Sequence, residues 1–169
     1  MASLNKKRLI QNIALLLLLA ALILFVTYYN SAKDNNTLHD KAIGEEATEV
    51  IIHSEGREDI LIQNQDGIWQ GIKPEEFIVD KDKMRHLFTL LSEDAKTSYD
   101  VRGKDLASYG LDQNRLSVSF NGVRMIFGDL NSISQKRYIL KGDKIYLISE
   151  TVFGLLQSGI DGFKKQQEQ

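Results

Sequence analysis

The chain has 169 residues, enough for one domain with appended segments. It has no cysteine, which excludes disulfides, thiolate nucleophiles and cysteine-ligated metals. Three of its 21 Lys and Arg residues precede residue 9, so residues 30–169 carry the other 18 against all 23 Asp and Glu; their net charge of −5 argues against nucleic acid and anionic lipid as partners.

The first predicted element is an uncharged apolar segment at residues 9–29. As a helix this segment spans about 30 Å, the thickness of a bilayer core. Three basic residues at 6–8 precede it directly. The positive-inside rule therefore predicts a transmembrane anchor in the bacterial inner membrane, with residues 1–8 in the cytoplasm and residues 30–169 in the periplasm. A cleaved signal peptide is the alternative, although NSA at residues 30–32 is a poor cleavage site.

Composition divides the rest of the chain into three parts. Residues 30–46 are polar and lack periodicity, which predicts a linker. Residues 47–160 alternate between strand and helix patterns and form the predicted exported domain. Residues 161–169, rich in Lys and Gln, are expected to be a disordered tail.

Three strands in a meander are predicted from Thr48 to Lys73. The segment is rich in β-branched residues, and Asp66-Gly67 is a strong hairpin signal. Pro74 ends the third strand because it cannot donate to the ladder. Trp69 lies in this strand, where burial in a small core is the common use of tryptophan and contact with a ligand or partner is the alternative.

The clearest helix follows Asp80, which is a good N-cap residue. Val79 and Met84 occupy the two positions of a hydrophobic staple. The helix should end near Asp94 and bury one apolar stripe on the sheet, which consists of Met84, Leu87, Phe88 and Leu91.

The second half predicts roughly four more strands and a short helix. Alternation in residues 115–120 indicates a strand, and Asn121-Gly122 and Gly142-Asp143 indicate hairpins. Gly154 and Gly159 weaken the last helix, at residues 151–160. The pattern is α+β, with an antiparallel sheet of strand meanders packed by two main helices. The halves could be a degenerate repeat, but their residues do not match well enough to establish one.

The stretch DLASYGLD at residues 105–112 predicts a tight corner. Asp105 can cap one helical turn, Leu106 to Tyr109. Gly110 then takes the left-handed position that ends the turn, and Leu111 is placed to contact Leu106. We interpret these five residues as a structural motif.

Candidate chemistry is sparse. The three histidines, His39, His53 and His86, have no metal-ligand spacing, and the chain has no P-loop and no G-x-S-x-G motif. The sequence therefore predicts no catalytic residue, no cofactor and no metal.

Several segments together resemble the uncharacterised domain-of-unknown-function 4340 family of exported, membrane-anchored bacterial proteins. The resemblance covers about residues 47–157 and departs at Gln113-Asn114, where the family usually has a proline. The matching segments are DGIW (66–69), DLASYGLD (105–112), IFGD (126–129), RYIL (137–140) and KIYLIS (144–149).

The resemblance implies an accessory subunit, since many family members are encoded beside gliding-motility-type ABC transporters, and it implies no catalytic residue. The first functional hypothesis is therefore a non-enzymatic accessory or scaffold protein that binds another envelope or transporter protein. The alternative is a periplasmic module that binds a small ligand or glycan near Trp69. An envelope hydrolase has no supporting constellation of residues.

Overall fold

The computed structural model describes residues 2–34, 46–93, 95 and 97–166. Contacts divide the chain into two compact units, Met1–Asn36 and Thr37–Gln169. Most of the predicted linker, residues 35–45 with His39, lies outside the described residues.

The first unit contains one helix, α1, at Ala2–Asp34. The side chains from Gln11 to Thr27 are all exposed. Among the helices of the described residues, none has the length and apolar character that crossing a membrane requires. The predicted transmembrane helix over residues 9–29 is therefore not supported.

The second unit is built on an antiparallel sheet, which confirms the α+β prediction. Within the described residues the sheet has nine strands. Four precede the helix α2 (Lys81–Ser92): β1 (Glu49–Ser54), β2 (Ile60–Gln65), β3 (Ile68–Lys73) and β4 (Phe77–Ile78). Five follow it: β5 (Ser98–Asp100), β6 (Leu116–Phe120), β7 (Val123–Asn131), β8 (Lys136–Lys141) and β9 (Lys144–Ile148).

Apart from the last strand, the strand order β4-β3-β2-β1-β6-β7-β8-β9-β5 consists of two matching four-strand halves that meet at β1 and β6. There β1 pairs with β6, with Ile52 opposite Val118. Outward from this pair each half places four strands in chain order, and each half then continues into a helix. The topology is thus that of a repeated meander, with β5 added beside β9. The predicted hairpin turns at Asp66-Gly67, Asn121-Gly122 and Gly142-Asp143 are confirmed.

One hydrophobic core lies between the sheet and its helices. Alternation directs Val50, Ile52, Val118 and Phe120 of the central pair to this side, and all four are buried. The Asp80 cap of α2 is confirmed, since its carboxylate accepts from the backbone N–H groups of residues 82 and 83. The helix buries Met84, Leu87, Leu90 and Leu91.

The C-terminal part differs from the prediction. The expected helix at residues 151–160 is shorter: α3 spans Phe153–Gln157, and a separate 3-10 turn spans Gly159–Gly162. The predicted disordered tail begins too early, because Phe163 is fully buried in the core and residue 164 forms a β-bridge with Val79. Residues 167–169 lie outside the described part.

The backbone turn and the cap of the predicted corner are confirmed. Leu106–Tyr109 forms a 3-10 turn, and the Asp105 carboxylate accepts from the N–H of Ala107. The N–H of Gly110 donates to Ala107 O, and that of Leu111 donates to Leu106 O, both at 3.0 Å. These two bonds are the Schellman pattern, and Gly110 has the left-handed φ of 65° that the pattern requires.

The corner packs against a β-bulge in β7. Between Phe127 and Leu130 the pairing with β8 shifts by one residue, which places Gly128 and Asp129 in the bulge. A Cβ on Gly128 would overlap the carbonyl oxygen of Tyr109, and a Cβ on Gly110 would overlap the Asp129 carboxylate. Each glycine therefore permits the approach of the other segment.

Three glycine-to-alanine variants distinguish the cost of a strained backbone conformation from the cost of a clash between the added methyl group and the facing segment. Gly142→Ala, at a left-handed turn with open space around it, should lower the free energy of unfolding by about 1 kcal/mol. Gly128→Ala, which strikes a backbone carbonyl, should lower it by about 2–3 kcal/mol. Gly110→Ala should exceed Gly142→Ala because it also displaces Asp129. Urea unfolding of the full chain measures all three, and equal losses for Gly128→Ala and Gly142→Ala would contradict the packing argument.

Candidate functional site

The predicted site residues do not come together in a cavity. Trp69 is partly buried and packs against the core, with its ring centroid 5.5 Å from that of Phe88. Tyr109 meets Tyr138 edge to face at 4.9 Å, and Leu111 is buried. The structure thus places Trp69 and the corner in packing positions.

A cleft of about 500 Å³ lies beside the central strands and is bordered by Phe153 and Gln157 of α3. The end of β1, the start of β6 and the β7 bulge meet there. Three arginines line the cleft together with two acids, Glu55 and Asp129. The arginines are Arg57, Arg115 and Arg137, and we name this cavity the arginine cleft.

Arg137 is held by three contacts. Its side chain is only 13% exposed, and its Nε donates to Glu150 Oε1 at 2.7 Å. Its Nη1 donates to the carbonyl oxygen of Gly128, and its guanidinium carbon lies 3.4 Å from the centre of the Phe153 ring. A bulge leaves backbone groups without ladder partners, so Arg137 supplies the donor that this part of β7 needs.

The other two arginines are held loosely. Arg115 Nη2 donates to Asp129 Oδ1 at 2.9 Å, in an ion pair whose members are both about half exposed. Arg57, in the exposed β1–β2 loop, donates one Nη1 bond to the carbonyl oxygen of Gln157 at 2.8 Å. Exposed pairs of this kind contribute little stability. The cleft therefore combines one locked guanidinium with two that can exchange partners.

Sequence reasoning missed these arginines, although one signal was present. In β8, Arg137 is in phase with buried Ile139, so alternation assigns a charged residue to the core side of the sheet. A charge at such a position requires a partner, which here is Glu150. Arg57 and Arg115 lie outside the strands and carry no comparable signal.

A second group of polar residues lies on the opposite face of the central strands. His53 Nδ1 is 2.7 Å from Asp59 Oδ1, and Ser117 lies opposite His53 across the β1–β6 pair. The Ser117 hydroxyl, however, is buried and accepts from Arg124 Nε at 3.1 Å. Within the described residues no hydrogen bond joins His53 to Ser117, so the geometry lacks the nucleophile–base contact of a catalytic triad.

One acid outside the cleft has a strongly shifted pKa. The side chain of Arg102, assisted by its backbone N–H, holds the pKa of Asp100 at about 2. Asp100 therefore stays ionised at neutral pH and cannot serve there as a proton donor. In the part of the chain that the structure describes, no group of three His, Asp or Glu side chains is arranged to hold a metal ion.

Comparisons with family models, curated proteins and solved structures find no match to this chain. The resemblance to the domain-of-unknown-function 4340 family therefore stays a prediction.

Removing Arg137 tests how the cleft wall is held. Arg137→Met leaves Glu150 and the Gly128 carbonyl without their donor, and we expect the free energy of unfolding to fall by about 2–3 kcal/mol. The matched control is Arg85→Met, which breaks the exposed Arg85–Asp82 pair and should change stability by less than about 0.5 kcal/mol. Chemical denaturation gives both values, and a loss at Arg137 no larger than that at Arg85 would count against a locked wall.

Proposed function

We propose that the sheet domain is a non-enzymatic binding module, which serves as an accessory or scaffold subunit for another protein of the bacterial envelope. The observation that carries this proposal is an exposed apolar tip beside the arginine cleft. The β7–β8 hairpin supplies the cleft residues Asp129 and Arg137 from its two strands, and Ile133 at its tip is 93% exposed.

The loop that presents Ile133 has internal hydrogen bonds. The Asn131 side-chain oxygen accepts from the N–H groups of Ile133 and Ser134, at 3.0 and 2.9 Å. The Asn131 amide nitrogen donates to the Tyr138 hydroxyl, and the N–H of Gln135 donates to Asn131 O. A loop held in this way loses little conformational entropy on binding, which favours a role in recognition.

The composition of the adjoining cleft also supports a protein partner. Arginine and aromatic side chains are enriched at the centres of protein interfaces. Arg57 and Arg115 provide hydrogen-bond donors in this cleft, and Phe153 provides an aromatic ring. An apolar anchor beside charged donors is typical of a surface that docks another chain.

The second candidate is the binding of a small ligand or glycan. The volume of the arginine cleft, about 500 Å³, falls within the range of small-molecule sites. Trp69 does not line this cleft, so the cleft supports the second candidate and Trp69 does not.

The predicted location completes the proposal. The protein is predicted to lie in the bacterial inner membrane, with its N-terminus in the cytoplasm and the sheet domain in the periplasm. This location rests on the apolar segment at residues 9–29 and on the three basic residues before it, and it stays a prediction.

Substitution of Ile133 tests the partner surface. Ile133→Ser should leave stability within about 0.5 kcal/mol, because the side chain is exposed, but should abolish recovery of a partner crosslinked to the wild-type chain in cells. Ile78→Ser is the matched control, since Ile78 is 69% exposed on β4, at the far end of the strand order. Quantitative mass spectrometry compares the three chains. A partner retained by Ile133→Ser, or lost equally from both variants, contradicts the proposal.

Because the chain has no cysteine, a single introduced cysteine is the only thiol that a maleimide can label, and its labelling reports the location of that residue. Lys81→Cys, on an exposed position of α2, should react with a membrane-impermeant maleimide in intact spheroplasts. Ser3→Cys should react only after lysis. The reverse pattern, or protection of both positions until lysis, overturns the predicted periplasmic location.

A further inference from the structure

We propose that the arginine cleft is a carboxylate-binding site, in which Arg57 and Arg115 hold a carboxylate that lies next to an apolar group. The inference deepens the proposed function and rests on it for the carrier of that carboxylate, the C-terminal residue of a partner protein. A free small acid is the other source of the same chemistry.

The first argument is the supply of donors. A guanidinium carries five N–H donors and has no acceptor. Arg57 gives one bond to Gln157 O and Arg115 gives one to Asp129. Most N–H groups of both side chains therefore have no protein acceptor within the described residues, and they are available to a ligand.

The second argument identifies the charge of the ligand. In the described structure the Asp129 carboxylate already sits 2.9 Å from Arg115, so the cleft displays the contact that an incoming carboxylate would make. Both members of that pair are about half exposed, which makes exchange inexpensive. Glu55 and Asp129 also line the cleft and repel a second negative charge. A singly charged carboxylate is therefore favoured over a phosphate dianion.

The third argument concerns the apolar part. Leu116, Phe127 and Phe153 contribute to the lining beside the arginines. Arg137 is only 13% exposed and is bonded to both Glu150 and the Gly128 carbonyl, so it holds this wall in place. A C-terminal residue with an apolar side chain presents both required features on adjacent atoms.

Calorimetric titration of the full-length chain in a mild nonionic detergent tests the proposal. The probe is the acetylated peptide Gly-Gly-Ala-Leu with a free C-terminus, compared with the same peptide amidated, with hexanoate and with inorganic phosphate. We expect the free acid to bind and the amide and phosphate to bind at least about tenfold more weakly, because a charge-assisted bond is lost or a second charge is repelled. Added salt should weaken binding of the free acid.

Two variants assign the binding to the cleft. Arg57→Gln combined with Arg115→Gln should lower affinity for the free acid by at least about tenfold. Arg102→Gln is the matched control, since it breaks an exposed Arg–Asp pair outside the cleft and should leave affinity unchanged. Thermal melting followed by circular dichroism confirms that each variant is folded. Arg115→Lys, which keeps the charge, should retain more affinity than Arg115→Gln.

The outcomes separate the two proposals. Equal binding of acid and amide, tighter binding of phosphate, an equal loss with Arg102→Gln, or no binding by any probe overturns the carboxylate site. Hexanoate that binds as tightly as the peptide supports the site and assigns it to small acids. If the peptide binds in the cleft but Ile133→Ser does not change the recovery of any crosslinked partner, the carboxylate site stands. Only the proposed protein-binding role of the Ile133 surface is then contradicted.

Discussion

The β7 bulge is the feature on which both the corner and the arginine cleft depend. The extra residue interrupts the β7–β8 ladder, and the Gly128 carbonyl is bonded by the guanidinium of Arg137. The same bulge presents the Asp129 carboxylate to Arg115. On its other side Gly128 lets the carbonyl of Tyr109 approach so closely that a side chain would not fit. One inserted residue therefore sets the positions of two cleft arginines and the docking of the preceding corner.

The elements that the sequence predicted are those whose causes are local. Asn121-Gly122 demands a tight hairpin whatever surrounds it, and it joins the adjacent strands β6 and β7. Asp80 caps α2 through neighbours two and three residues away. The Asp105–Leu111 corner is closed by bonds within seven residues. In each case the residue that causes the structure lies beside its effect, so pattern and geometry coincide.

What the sequence could not predict depends on distant contacts. The β1–β6 pair joins segments more than 60 residues apart, and the sequence of neither strand predicts which strand it pairs with. Phe163 follows two glycines and precedes a charged tail, yet it is buried because the sheet and helices leave a place for it. Arg57 and Gln157 meet across 100 residues. The arginine cleft is assembled from such contacts, which explains why the fold class was predictable and the candidate site was not.

A recognition site needs a wall that is already ordered and polar groups that can exchange partners. In this protein the corner and Arg137 provide the first, and Arg57 and Arg115 provide the second. Binding is weakened when the walls of a site must be ordered at the moment of association. Here the order is supplied during folding, by the glycine contacts and by the three contacts of Arg137 with Glu150, the Gly128 carbonyl and the Phe153 ring. Arg57 and Arg115 keep single, exposed bonds that can be exchanged without disturbing that wall. In this network the inner arginine is 13% exposed and bonded to two acceptors, whereas each outer arginine keeps one exposed bond and has further N–H groups available to a ligand.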